Sequence, residues 1–311
     1  MARAEVEDTY AEAFRSIYAE VLITARDRTW LDHAIHAATG HASSTIMCDC
    51  EAGLDRYVGP GGDPAVLTPD GRPGAILQFH VPRFHKDRER RLEKALLARV
   101  SQNLLTCPTV KCFNMLDNES YFKLGRKVAF FGDGFQKRDV RHGRRVWVVP
   151  TMGGEFIIER RCGFADGIMG GNLWFMATNE DAAIEAAVRS TEAVRATPGT
   201  ITTFPGGVAA SASKAGSRYS FLFASTYEQY CPTLKDALGE ESRVPAGVNS
   251  IMEIIINGRS LKAVSQATYA AIEAAIETPG LVKISGGNYG GRLGKSFIYL
   301  RGPESRLLQQ A

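Results

Sequence analysis

Residues Glu253 to Gly291 repeat a pattern already present between Leu173 and Gly207, and no other feature limits the possible folds as much. In the later copy Ile254-Ile255-Ile256 enters a helix, followed by Thr278-Pro279-Gly280, Leu281-Val282-Lys283-Ile284 and Ser285-Gly286-Gly287. In the earlier copy Leu173-Trp174-Phe175-Met176 enters a helix, followed by Thr197-Pro198-Gly199, Thr200-Ile201-Thr202-Thr203 and Phe204-Pro205-Gly206-Gly207. Both read strand, helix, Pro-Gly turn, strand, glycine pair, the mark of a duplicated supersecondary unit. Backbone without side chains can come close to a ligand, so the glycine pairs point to the site.

The first half carries the same grammar less cleanly. Val21-Leu22-Ile23-Thr24 reads as a strand, Trp30, Leu31, Ala34, Ile35 and Ala38 trace a helix face, and Ser43 to Cys48 read as the returning strand. A second unit runs from Ala75-Ile76-Leu77-Gln78-Phe79 through a helix with Leu92, Leu96, Leu97, Val100 and Leu104 on one face to Val110-Lys111-Cys112-Phe113. In the second half Ala183, Ile184, Ala187, Val188, Thr191 and Val194 line one helix. Leu261, Val264, Thr268, Ala271, Ile272 and Ala275 line the other. Two strand-helix-strand units per half predict an α+β fold: two ferredoxin-like α/β-sandwich lobes, each a βαββαβ unit with an antiparallel sheet. The expected lobes are residues 1–150 and 151–311, divided near Pro150, where Val146-Trp147-Val148-Val149 ends and Met152-Gly153-Gly154 turns the chain. A doubly wound nucleotide-binding sheet would need glycines after the first strand, and Thr24-Ala25-Arg26-Asp27 has none.

Composition excludes several classes. No apolar stretch reaches the ~18 residues a membrane span needs, and the first residues lack a signal-type apolar run, so a cytoplasmic protein is expected. The six cysteines are scattered through a long chain, unlike a small disulfide framework. Cys48-Asp49-Cys50 would face one side of a strand, but no second Cys or His pair follows at ligand spacing, so no metal is expected. The net charge of +3 is near balance, and the basic run Lys86 to Arg91 is interleaved with acids. That run reads as a solvated helix face, able to attract an acidic small molecule but not a nucleic-acid stripe.

Tyr289-Gly290-Gly291-Arg292-Leu293-Gly294-Lys295-Ser296 almost matches a phosphate-binding P-loop, but the motif needs glycine at Tyr289 and a helix afterwards. Phe297-Ile298-Tyr299-Leu300 follows and reads as a strand, so the match is rejected. Glu253 precedes three isoleucines on an expected central strand. Lost hydration there would disfavour the charged form and leave an acid able to exchange protons near neutral pH. An edge position, or a salt bridge to Arg or Lys, would suit the same residue. Other polar groups sit in glycine-rich turns: Asp133, Asn172, Ser211 and Ser213 before Lys214, and Asn288 after Gly286-Gly287. Each suits a turn; several converging would hold a flat polar ligand. All six histidines fall at or before His142, which argues against a Ser-His-acid acyl-enzyme.

At these residues the chain resembles the formylmethanofuran:tetrahydromethanopterin formyltransferase family along nearly its whole length. The likeness runs through Glu7-Asp8-Thr9-Tyr10-Ala11-Glu12-Ala13-Phe14, Glu51-Ala52-Gly53, Thr68 to Gly74 and Phe130 to Gly134. It continues through Gly154-Glu155-Phe156, Gly170-Gly171-Asn172, Phe204 to Gly207, Ser211 to Lys214 and Ala224-Ser225-Thr226. Tyr230-Cys231-Pro232-Thr233, Glu253 to Asn257 and Lys283 to Gly291 complete it. The resemblance implies two ferredoxin-like lobes, no bound metal or prosthetic group, and an oligomer (dimer or tetramer) with sites at subunit contacts. It implies direct formyl transfer between the amine of a methanofuran-type carrier and N-5 of tetrahydromethanopterin, both being substrates. The family's active-site glutamate falls on Glu253. The implied substrate-binding residues are Asp133, Asn172, Gly206, Gly207, Ser211, Ser213, Lys214, Tyr230, Pro232, Gly286 and Asn288. Glu228-Gln229 stands where Asn-Asp is expected of the family, and Met152-Gly153-Gly154 is looser than usual. At +3 the chain resembles bacterial relatives from one-carbon oxidation more than the acidic members of methanogens. Such relatives are expected to work within a formyltransferase/hydrolase complex, from formyl-pterin towards the furan carrier.

The expected mechanism is attack of an amine on the formyl carbon through a tetrahedral intermediate. Glu253 would exchange the proton between the nitrogens, and backbone N–H groups at a glycine turn would serve as oxyanion donors. The rival readings are a non-catalytic scaffold subunit of a hydrolase complex and a pterin-binding protein, both separated from an enzyme by turnover.

Overall fold

The computed structural model describes residues 3–301, in two compact units: Arg15–Gly167, and residues 3–14 together with 168–301. The early elements are β1 (Glu5–Val6), β2 (Tyr10–Thr24), α1 (Arg28–Thr39), β3 (Glu51–Val58), β4 (Gly74–Pro82), α2 (Arg88–Arg99) and β5 (Lys111–Asn114). Strand order β5-β2-β4-β3, antiparallel throughout, is the ferredoxin-like arrangement. Alternation along the strands explains its core. Ile17, Ala19, Val21 and Ile23 of β2 and Leu77, Phe79 and Val81 of β4 face Leu31, Ala34 and Ile35 of α1 and Leu92 and Leu96 of α2. Asp27 caps α1 by accepting the Trp30 N–H at 3.1 Å.

After β6 (Tyr121–Phe122) and α3 (Leu124–Ala129) come β7 (Lys137–Arg141), β8 (Arg144–Thr151), β9 (Gly154–Glu159) and β10 (Cys162–Gly170). The meander β7-β8-β9 joins the sheet through β9, parallel to β5. Met152-Gly153 is therefore a hairpin tip, and the compact units divide at residues 14/15 and 167/168.

One expected strand is absent. Ser43–Cys48 forms turns: the Met47 and Cys48 N–H groups both donate to the Ser44 carbonyl, and the Ile46 N–H to the Ser44 hydroxyl. Serine and threonine offer the backbone such local partners in place of a ladder. The returning strand is β3, whose register slips between Leu54 and Arg56, a bulge that breaks the alternation by which a strand is recognised.

The other unit contains β11 (Leu173–Ala177), α4 (Glu180–Arg195), β12 (Thr200–Thr202), β13 (Ser213–Ala215), β14 (Ala224–Thr226) and α5 (Lys235–Leu238). Then follow β15 (Ser250–Ile254), β16 (Ile256–Gly258), α6 (Leu261–Ala275), β17 (Leu281–Gly286) and β18 (Ser296–Tyr299). The neighbours run β17-β11-β15, and β12 pairs with β16, which continues β15 past Ile255. This is again the ferredoxin-like order, with β1 added parallel to β17. The two repeat copies coincide in detail. Thr197 N–H donates to the Val194 carbonyl and Thr278 N–H to the Ala275 carbonyl, and Gly199 and Gly280 take φ of 87° and 83°. Asn179 and Ser260 cap the two helices. Ala183, Ala187 and Val194 of α4 and Val264, Ala271 and Ile272 of α6 enter the core, whereas Ile184, Val188 and Leu261 stay exposed at its margin.

Candidate active site

Alternation on β11 sends Leu173 and Phe175 into the helix-facing core and Asn172, Trp174 and Met176 to the other face. On β15 it buries Met252 and Ile254 with the helices and turns Ile251 and Glu253 the other way. Register then sets the chemistry, because Trp174 lies directly across from Glu253. The Trp174 indole N–H donates to Glu253 Oε1 at 2.9 Å, and the Asn172 amide, two residues earlier on the same face, donates to the same oxygen at 2.8 Å.

Glu253 is 4% exposed and its strand is internal: Ala209 N–H donates to the Glu253 carbonyl at 2.8 Å and Glu253 N–H to the Ala209 carbonyl at 2.9 Å. An edge position is thereby excluded, and the carboxyl's partners are neutral donors rather than Arg or Lys. Burial pushes its pKa above the ordinary glutamate value, while the Trp174 and Asn172 hydrogen bonds draw it part of the way back. A carboxyl shifted in this direction is better suited to take up a proton and pass it on than an exposed glutamate.

An aromatic layer covers it. The Tyr230 ring lies 4.7 Å from Trp174, Tyr227 5.9 Å and Tyr289 6.5 Å, with Val244 and Val248 packed alongside. Burial, and next the Glu253 carboxylate, push the Tyr289 phenol up, so it remains an O–H donor, and it donates to the Ser213 carbonyl at 3.3 Å. The Tyr230 phenol is also raised by burial, against the pull of Arg243.

The residues singled out in the sequence fall into three groups. Asn172 and Glu253 bond directly, Tyr230 packs on Trp174, and Ser213 meets Tyr289 through its carbonyl. Gly206 and Gly207 form the turn before Ala209, both at positive φ; a Cβ on Gly207 would lie 2.5 Å from the Thr202 hydroxyl. Gly286 ends β17 opposite Leu173, and the Asn288 amide donates to the Thr9 hydroxyl at 3.0 Å. The remainder are more peripheral. The Lys214 ammonium pairs with Glu228, so the departure at Glu228-Gln229 sets a carboxylate against that lysine. Pro232 opens a short 3-10 turn after Tyr230, and Ser211 is exposed. Asp133 belongs to the Arg15–Gly167 unit, where it is exposed and takes the left-handed conformation that ends a 3-10 turn.

Sequence reasoning passed over Trp174, Tyr227 and Glu12 as site residues. The Asn172-x-Trp174 spacing was the available signal, since both lie on one strand face two residues before and at the register partner of Glu253. At several of the glycine turns the N–H groups are already engaged. Gly170 donates to Asn257, Gly171 to the Glu12 carbonyl, Gly207 to the Phe204 carbonyl and Gly287 to the Asn172 carbonyl. Among the described residues no three His, Cys, Asp or Glu side chains cluster as a metal site would require. Cys48 and Cys50 precede β3 rather than lying on a strand, and burial pushes the Cys50 thiol up to about 12. No described helix is long and apolar enough to cross a membrane.

Comparison with known proteins converges on one family. Residues 1–151 match the family model "Formylmethanofuran-tetrahydromethanopterin formyltransferase" and residues 154–302 match "FTR, proximal lobe". The formylmethanofuran–tetrahydromethanopterin formyltransferase of Methanopyrus kandleri is 44% identical over 301 residues, spanning 95% of this chain and 97% of that protein. The solved structure of the Methanosarcina barkeri formylmethanofuran:tetrahydromethanopterin formyltransferase superposes with a TM-score of 0.89 at 42% identity, covering 96% and 97% of the two chains. A chain of the Methylorubrum extorquens formyltransferase/hydrolase complex with methylofuran gives 0.86 at 38% identity, covering 97% and 96%.

Proposed function

The chain belongs to the formylmethanofuran–tetrahydromethanopterin formyltransferase family, and from that membership we propose that it transfers a formyl group between the amine of a methanofuran-type carrier and N-5 of tetrahydromethanopterin. The observation that carries the reading is the Glu253 carboxyl, buried on a central strand and held at Oε1 by two neutral donors. The amine attacks the formyl carbon, the C–N bond to the incoming nitrogen forms, and the carbonyl oxygen becomes an oxyanion. Glu253 accepts the proton of the attacking nitrogen and returns it to the departing one, so that the original C–N bond breaks with a neutral amine leaving.

The tetrahedral oxyanion needs hydrogen-bond donors. The Asn172 amide, which donates to Glu253, and the Tyr289 hydroxyl, which donates to the Ser213 carbonyl, are neutral donors that would have to turn to the oxyanion, and a well-placed donor of this type is worth ~3 kcal/mol. The aromatic layer of Trp174, Tyr227, Tyr230 and Tyr289 offers flat faces to a pterin or furan ring and excludes water. Gly206, Gly207, Ser211, Ser213, Lys214, Tyr230, Pro232, Gly286 and Asn288 are proposed as carrier contacts around it, and Asp133 as a carrier contact of the Arg15–Gly167 unit.

The working form is a cytoplasmic homo-oligomer that associates with hydrolase subunits and runs towards the furan carrier. Support for a subunit contact comes from the tip of the β13–β14 hairpin, where Tyr219, Phe221, Leu222 and Phe223 are exposed together. The likeness to a chain of a formyltransferase/hydrolase complex supports the wider assembly. We place the boundary between the two inherited halves near residue 150, because the two matched models meet between 151 and 154. Formylmethanofuran and tetrahydromethanopterin incubated with the protein should give formyl-tetrahydromethanopterin by absorbance. Carrier binding without turnover would leave a scaffold or a pterin-binding protein.

A further inference from the structure

The segment Tyr289 to Lys295 that imitates a P-loop has an anion of its own. Glu12 is fully buried, and its carboxylate accepts four backbone N–H groups of that segment. Tyr289 and Gly291 donate to Oε1 at 2.6 and 2.7 Å, and Leu293 and Gly294 to Oε2 at 2.9 and 3.0 Å. Successive N–H groups turned inward make an anion-binding concavity, the arrangement with which a P-loop cradles phosphate. Here the concavity is filled from within the chain.

The rest of the loop agrees with that role. Gly290 and Gly291 take φ of 68° and 72°, conformations that turn consecutive N–H groups to one side. A Cβ on Gly294 would lie 2.1 Å from the Ala13 carbonyl, so the loop is pressed against the strand that carries Glu12. Lys295 closes the loop from its other side by donating to the Gly291 carbonyl at 2.6 Å. The connection just before that strand holds the approach to the loop, where Ser285 donates to Glu7 and Asn288 to Thr9. The first residue that Glu12 fixes is Tyr289, whose ring packs on Trp174 and Tyr227 above Glu253.

We propose that Glu12 is a positioning residue: its buried carboxylate is the built-in anion that folds the Tyr289–Gly294 loop and thereby sets Tyr289 over the Glu253 site. Its kinetic consequence rests on the formyl-transfer reading above, whereas its effect on the loop does not. Glu12→Gln keeps size and burial but presents an NH2 to two of the four donors. Glu12→Ala leaves the four N–H groups facing a space whose missing atoms are those of acetate.

The test uses the full-length protein labelled with 15N-glycine, and reads amide shifts, turnover and melting together. In Glu12→Gln the Gly291 and Gly294 amide protons should move upfield, and kcat should fall roughly 10- to 100-fold, the scale of a misplacement of about 1 Å. KM for both carriers should stay within about threefold, because the carrier-facing groups outside the loop are untouched. Added acetate should return the Gly291 and Gly294 signals of Glu12→Ala towards their parental positions in a saturable way and raise kcat with the same midpoint. If Glu12→Ala does not fold, Glu12→Gln and Glu12→Asp carry the comparison, with Asp expected to retain more of both signals. Unmoved Gly291 and Gly294 amides in Glu12→Gln, or a kcat within threefold of the parent, would overturn the proposal. A parent protein without formyl transfer would sink the functional reading alone, since the amide shifts would still report on the loop.

Discussion

The two compact units share a ferredoxin-like strand order, and each buries polar side chains on the sheet face away from its helices, but they use them differently. In the Arg15–Gly167 unit those groups bond to one another: Ser16 pairs with His80 at 3.1 Å, His80 with Gln78 at 3.0 Å, and Gln78 donates to Glu20 at 3.2 Å and Asp55 at 2.9 Å. Burial holds His80 as neutral imidazole, with a pKa lowered to about 3. In the other unit Glu253 has two neutral donors on one oxygen and a layer of tyrosines above it. A network of buried side chains bonded to one another rigidifies a core, whereas a carboxyl held at one oxygen under aromatic rings is suited to act on a ligand. The shared sheet therefore does not decide the function. What lies over its outer face does.

The largest effect expected from this contrast is on turnover. Glu253→Gln fills the same space but cannot carry a proton, so the formyl-transfer rate should fall roughly 10²–10⁴-fold while carrier binding persists. Stopped assays with binding measured on the same preparation check this, and turnover within threefold of the parent would remove Glu253 from the reaction. The matching change in the other unit should act on stability instead. His80→Ala strips a partner from Ser16 and from Gln78, at about 1–3 kcal/mol for each group left unsatisfied. Its denaturant midpoint should drop with turnover per folded molecule unchanged, and the reverse result would make the network part of the site.

Smaller effects sharpen the comparison. Trp174→Phe removes a donor to the charged carboxyl, so the pH dependence of kcat should move upward. An unshifted profile would mean that the titrating group is not Glu253. The stability of Glu253→Gln should also depend on pH with a defined sign. A carboxyl whose folded pKa is raised contributes stability below its unfolded value of ~4.3 and loses that contribution as pH rises through the folded pKa. The variant should therefore melt higher than the parent near neutrality, and the gain should vanish below about pH 4. Least of all should metals matter: prolonged chelation is expected to leave turnover unchanged, with zinc and iron far below one per chain by elemental analysis.

The sequence alone determined the elements whose signals are local. Helix faces such as Leu31, Ala34, Ile35 and Ala38, and the twin Pro-Gly turns at Pro198-Gly199 and Pro279-Gly280, follow from periodicity and φ preference over a few residues. Glu253 was legible for the same reason, as an acid inside an apolar strand. Only the tertiary structure decided how those elements meet. The Trp174–Glu253 register, the bulge that hid β3, and the four N–H groups that Glu12 collects from a loop more than 270 residues away depend on pairings between distant strands. Periodicity describes which face of a strand is buried and leaves open which residue lies opposite, because register is fixed by long-range packing and turn geometry rather than by neighbours in the chain.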